Sequence, residues 1–171
     1  GKSKMSRKQM KNIALFVDVQ NIYYTVKERY GCHFNYRALW QQLASEGEIS
    51  VAYAYAIDRG NQQQQSFQDI LRNIGFYVKL KPFIQRADGS AKGDWDVGIT
   101  LDVMDTVNDA NPSINCVALL SGDGDFELLL KRVTRNKEIE TLVYGVPELT
   151  ATSLINAASE FRAIGSSLLL R

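Results

Sequence analysis

Histidine is almost missing. His33 is the single one in the chain, which excludes metal centres built on imidazole and phosphodiester chemistry run by a pair of histidines. Beside Cys32 it reads as structural. Cysteine is equally scarce: Cys32 and Cys116 lie far apart and have no Cys-x-x-Cys companions, so they form neither a zinc site nor a disulfide framework and read as reduced thiols. No stretch approaches the roughly 20 apolar residues that span a bilayer, and no basic-then-apolar signal opens the chain. A cytoplasmic location with no membrane partner is the expectation.

What remains is a globular composition. Hydrophobic residues make up 45% and charged residues 23% of 171 positions, too apolar and too well mixed for a disordered chain. The net charge of +1 hides an asymmetry. Lys2, Lys4, Arg7, Lys8 and Lys11 fall in the first eleven residues without an acid, which leaves 15 of the 20 basic residues against all 19 acids in the rest. Residues 1–11 therefore read as a basic, flexible leader and 12–171 as one domain.

Within that domain apolar, β-rich runs alternate with helical periods. Ile13–Val19, Ile49–Ile57, Phe76–Ile84, Ile114–Leu120 and Ile139–Tyr144 read as strands. Tyr36, Leu39, Trp40 and Leu43 form a helical stripe behind an Asn35 cap. Phe67, Ile70, Leu71 and Ile74 form another, stopped by Gly75 and opened by the solvated glutamines 62–65. Phe126, Leu129, Leu130 and Val133 form a third. Residues 94–108 alternate enough for a strand, but their length and the stripe Val97, Leu101, Met104 favour a helix, apolar on several sides and so deeply buried. The class is α/β: a three-layer fold with a central, largely parallel sheet of about five strands flanked by helices. Ligands of such sheets bind beyond the carboxyl ends of the strands, which directs attention to Asp18 and Asp123.

Three segments can carry chemistry. V-D-V-Q-N, residues 17–21, runs an apolar strand into a carboxylate that is costly to bury. Asp18 can act chemically or cap the next helix, and Asn21 can anchor a phosphate or cap. S-G-D-G-D-F, residues 121–126, follows the strand Ile114–Leu120. Its glycines permit a tight turn, and capping accounts for one of Asp123 and Asp125 but not both. K-G-D-W-D, residues 92–96, offers Asp94 as an N-cap and Asp96 as a reacting acid. Asp102 sits about 120° further round the helix, so it reads as a support behind Asp96, as Ser121 does behind Asp123. Carboxylates brought together raise one another's pKa unless a cation neutralises them, and Mg²⁺ or Mn²⁺ is the natural partner of hard oxygen ligands. Such an ion lowers the pKa of a bound water and stabilises phosphodiester charge, which permits hydrolysis without histidine.

In this order and spacing, V-D-x-x-N at 17–21, K-G-D-W-D-V with L-D following at 92–102, S-G-D-G-D-F at 121–126 and S-L-I-N-A-A-S-E-F at 153–161 resemble the NYN family in its LabA-like branch. The resemblance runs from about Ile13 to Ile164. It implies a PIN-like, Rossmannoid fold with the first and fourth strands adjacent, and a pocket binding Mg²⁺ or Mn²⁺ for RNA cleavage. Carried over by position, Asp18, Asp96, Asp123 and Asp125 match the acids and Asn21 the asparagine. Glu160 departs from the aspartate usual before Phe161, a change expected to affect packing.

A nuclease also needs cations around its acids. Lys79 and Lys81 share a strand face; Arg59, Arg86 and Lys92 lie at strand ends or in the loop 85–93, where Asp88-Gly89 signals a turn. Arg59, Lys81 and Lys92 are the expected RNA contacts. Tyr23 and Tyr24 can stack on unpaired bases, one of them being expected in the core. The expected function is metal-dependent hydrolysis of single-stranded RNA, with a homodimer compatible with it. The alternative is a non-catalytic regulator binding RNA or protein on the same scaffold. A haloacid-dehalogenase-type phosphatase with Asp18 as nucleophile needs a second acid at position 20, which is Gln.

Overall fold

The computed structural model describes residues 10–85, 91, 92 and 94–171, of which 84, 85, 91 and 92 are described by backbone alone. The sheet grows outward from β1 (Lys11–Asp18), a run so apolar that Ile13 to Val17 are all fully buried, as a strand covered on both faces must be. On one side it pairs with β3 (Gly47–Asp58) and then β4 (Tyr77–Pro82). On the other it pairs with β7 (Cys116–Leu120), β8 (Glu140–Gly145) and β9 (Glu160–Ala163). All five pairings are parallel, in the order β4-β3-β1-β7-β8-β9.

The sheet thus has six strands where about five are expected from the pattern. β9 is the addition, an edge strand of only four residues, Glu-Phe-Arg-Ala, without the apolar run that marks the others. The first and fourth of the long strands, β1 and β7, are neighbours. The chain reverses its direction of growth between them, which opens a crevice at their carboxyl ends.

Alternation along β1 sends Ile13, Leu15 and Val17 to one core and Ala14 and Phe16 to the other. The first core is closed by α1 (Val19–Tyr30), α2 (Tyr36–Glu46) and α3 (Gln62–Ile74) through Ile22, Val26, Leu39, Leu43 and Leu71. The second is closed by α4 (Asp96–Asn108), α5 (Glu127–Val133) and α6 (Thr152–Ala157) through Ile99, Val103, Leu129, Leu130 and Leu154. Caps fall as expected: Asn35 Oδ1 accepts from Ala38 N (3.0 Å), and Gly31, at φ 67°, ends α1 in the left-handed region that glycine occupies without strain.

Two short antiparallel pairs complete the described structure, β2 (His33–Phe34) with β10 (Leu169–Leu170), and β5 (Ile84–Gln85) with β6 (Ala91–Lys92). The expected strand Phe76–Ile84 is therefore β4 followed by the start of a separate ribbon. Lys11, expected to end the basic leader, instead begins β1 and pairs with Glu140 (2.9 Å) and Glu46 (3.4 Å). Residues 1–9, Arg86 and the turn expected at Asp88-Gly89 lie outside the described residues, as does the side chain of Lys92. No described helix is long and apolar enough to cross a membrane.

The segment 94–108 folds as a helix, but the expectation of deep burial fails. Only Ile99 and Val103 are fully enclosed, while Val97 is 71% and Leu101 59% exposed. Its apolar residues exceed what one face against the sheet can cover.

Candidate metal and catalytic site

β1 ends at Asp18, and its buried carboxylate does two structural tasks at once. Oδ1 accepts from Asn21 N (3.4 Å), capping α1, and Oδ2 accepts from the Ser121 hydroxyl (3.1 Å) beyond the end of β7. Ser121 Oγ also accepts from Asp123 N (3.2 Å), so one fully buried serine joins the first acid to the second. Burial is the main reason that Asp18 is pushed up to about 6, with the nearby charges of Asp123 and Asp94 adding to it against those hydrogen bonds. The Tyr36 phenol is driven above its ordinary range, first by burial and then by Asp18.

Asn21 has an occupation beyond those foreseen. Its Oδ1 accepts from Gly122 N (2.8 Å), latching the loop after β7 to the first turn of α1. The glycines of that loop serve clearance more than turning, since neither adopts a positive φ. A Cβ at Gly122 would sit 2.6 Å from Leu149 O, and one at Gly124 2.9 Å from Ala151 Cβ. Ala151 N returns a hydrogen bond to Gly122 O (3.0 Å). Residues 149–151, just ahead of the C-terminal motif, thus buttress the acidic loop from outside.

Within the loop Asp123 accepts from Asp125 N (2.9 Å). Asp125 itself is exposed. On the same face of the sheet as α5, α4 brings in Asp96. Its entry is fixed by Trp95, whose Nε1–H donates to Ala56 O (2.8 Å) and whose ring packs on Tyr55. Asp94 Oδ1 accepts from Asp96 N (3.2 Å), close to its expected capping role. Asp96, Asp123 and Asp125 each present a carboxylate oxygen within 4.8 Å of the other two. The Asp96 carboxyl is raised to about 7, chiefly by burial, then by hydrogen bonding and charge from Asp123, with Asp94 and Asp18 adding.

Three of the four expected acids therefore converge as potential ligands, and Asp18 stands behind them through Ser121. Asp102 is elsewhere engaged: Oδ2 takes the Lys79 ammonium (2.7 Å) and the Tyr55 hydroxyl (2.8 Å). Lys81 reaches the entrance of α4, donating to Asp94 O (3.0 Å) with its ammonium 4.4 Å from the Trp95 ring centroid. Arg59 lies over Phe83 (4.5 Å). Tyr23 and Tyr24 are both exposed, against the expectation of one in the core, because Ile22 and Val26 supply the buried face of α1. His33 is exposed and stacks on Tyr23 at 6.0 Å. Trp95 escaped notice in the sequence; an indole between two acids in G-D-W-D was its signal.

The NYN domain matches residues 12–165, which takes in every element of this site. The chain belongs to the NYN domain family. A curated relative, the Low amplitude and bright protein LabA of Synechococcus elongatus, is 29% identical over 157 residues, 87% of this chain and 81% of that protein. A crystal structure of a protein of unknown function from Vibrio parahaemolyticus superposes with a TM-score of 0.86 at 48% identity, covering 95% of this chain and 98% of the other. The acidic cluster of this NYN domain can hold a metal ion: its donors are carboxylate oxygens that approach closely from two segments, and among the described residues neither histidine nor cysteine joins them.

Proposed function

We propose that this NYN domain is a Mg²⁺- or Mn²⁺-dependent nuclease of the cytoplasm that hydrolyses phosphodiester bonds in single-stranded RNA. The observation that carries this reading is the meeting of Asp96, Asp123 and Asp125 oxygens within 4.8 Å. Mutually repelling carboxylates at the crevice of a parallel sheet are an unfavourable arrangement in the absence of a cation. They would hold the ion, while Asp18, Ser121 and Asn21 fix the loop from which Asp123 and Asp125 project. When bound, the ion supplies an activated water and charge neutralisation at the phosphate. Lys81, Lys92 and Arg59 would hold the strand's phosphates.

Asp123→Asn tests the reading because it keeps size and hydrogen-bonding reach but removes a ligand charge. Cleavage of labelled single-stranded RNA in Mn²⁺ should fall to background, while the melting temperature in EDTA holds or rises. Parallel single-stranded DNA identifies the nucleic acid. Wild-type cleavage rates for Asp123→Asn, or full wild-type activity in excess EDTA, overturn the assignment.

A further inference from the structure

Beside the acids a cleft of about 870 Å³ opens between α1, α2, α3 and the end of β3. It adjoins the site at two places. Val19 and Gln20, which follow Asp18 directly, line one edge, and Ala56, whose carbonyl holds the Trp95 indole, lines another. Its size falls within the range of about 300–1,000 Å³ common to small-ligand sites.

The lining has a consistent chemistry. Tyr23 and Tyr24 present rings that are 41% and 53% exposed. Arg37 and Arg59 are both exposed, and no carboxylate is among the described residues that line the cleft, although 19 acids are spread through the chain. Tyr36 is the most informative. It belongs to the core stripe of α2 and is only 7% exposed, yet its hydroxyl makes no hydrogen bond to another described residue. Tyr36 is nonetheless one of the residues that line the cleft. A phenol at the wall of a cleft can hydrogen-bond a polar group bound there. Aromatic faces, two guanidinium groups, a tyrosine at depth and, among the described lining residues, no acid together fit a flat, hydrogen-bonding ring joined to an anion.

We propose that this cleft is a nucleotide subsite, in which one unstacked base lies against Tyr23 and Tyr24 with its polar edge at the Tyr36 hydroxyl and its phosphate at Arg37 and Arg59. The base is that of the bound RNA strand, to which extent the proposal rests on the nucleic-acid reading above; a free mononucleotide has the same chemistry. The strand would then be anchored beside the acids by a base and not by its backbone alone.

Binding measured in EDTA separates this from catalysis. Single-stranded RNA octamers of each base, an octamer with one abasic position and the four nucleoside 5′-monophosphates are titrated against wild type, Tyr24→Ala, Arg37→Ala and Tyr36→Phe, each first checked for wild-type melting. Tyr24→Ala should weaken octamer binding about 5- to 100-fold. Arg37→Ala should flatten the salt dependence, and Tyr36→Phe should narrow the affinity differences between octamers while leaving the abasic one unaffected. Monophosphates that displace RNA identify a free nucleotide as a competent occupant; failure to displace it assigns the cleft to a strand base. Folded variants that bind and discriminate like wild type overturn the subsite, as does a wild type that binds neither ligand. If binding follows the cleft residues but Mn²⁺ never yields cleavage, the nuclease reading falls and the subsite stands.

Discussion

Asp18, Asp123 and Asp125 are legible as residues because each stands where an apolar strand stops, and a charge at that place calls for a reason. What cannot be read there is the division of labour. Ser121 links two acids that are 105 positions apart in the chain, and the partners of Asp102 lie 23 and 47 residues away. Such pairings come from strand order, which a linear pattern does not encode. Gly122 shows the same limit. It suggests a turn, but what it supplies is space for Leu149 and Thr150 to pass. Gly122→Ala therefore has a definite outcome. Its Cβ would meet a backbone carbonyl and the Thr150 backbone, which cannot rotate away like a flexible side chain, so the loop must move and take Asp123 with it. Denaturant unfolding should show a loss of about 1–3 kcal/mol, together with reduced Mn²⁺-dependent cleavage. Unchanged stability and activity would mean that residues 149–151 do not buttress the acids.

Elements are recovered best where hydrophobic periodicity is strong. All five expected strands exist, and α2 and α5 carry the expected stripes, whereas in α3 only Leu71 of the four is fully buried, Ile70 is 47% exposed and Gln68 is buried. The pattern weakens at the periphery. β9 escapes because Glu160 and Arg162, pointing to charge partners at the sheet's edge, break the apolar run. Arg162 also reaches Glu46 (2.6 Å) and the Tyr144 hydroxyl (2.7 Å), so Glu160 serves an ion network and more than simple packing. α4 is recognised by length, while its burial is overestimated: counting apolar residues does not say which of them meet the sheet. A pair of substitutions separates the two faces. Ile99→Ala, within the closed core, should cost about 2–5 kcal/mol. Leu101→Gln, two positions on but exposed, should change stability by about 0.5 kcal/mol or less. Equal losses in chemical denaturation would show that Leu101 is covered in solution.

For the whole molecule, one sheet end gathers the acids and pays for it in pH-dependent stability. Asp18 and Asp96 have folded-state values of about 6 and about 7 against an ordinary value of 3.8. Between about pH 4 and 7 the folded metal-free protein therefore holds more protons than the unfolded chain, and its stability falls as pH rises through that window. The contribution of these two groups is fully present below the unfolded value and lost above the folded one. A divalent ion that binds only the folded state acts in the opposite sense, because it needs the carboxylates ionised. At 100 times its dissociation constant it adds about 2.7 kcal/mol, which for a chain of this length amounts to roughly 5–10 °C in melting temperature. The expected result has two parts. In EDTA the melting temperature should decline from pH 5.5 to pH 8, less steeply in Asp18→Asn. Mn²⁺ should then raise it more at pH 8 than at pH 5.5, where protons compete for the same oxygens, and Asp123→Asn should lose most of that rise. A Mn²⁺ shift that is equal at both pH values, or that survives Asp123→Asn, would place the ion away from these three acids.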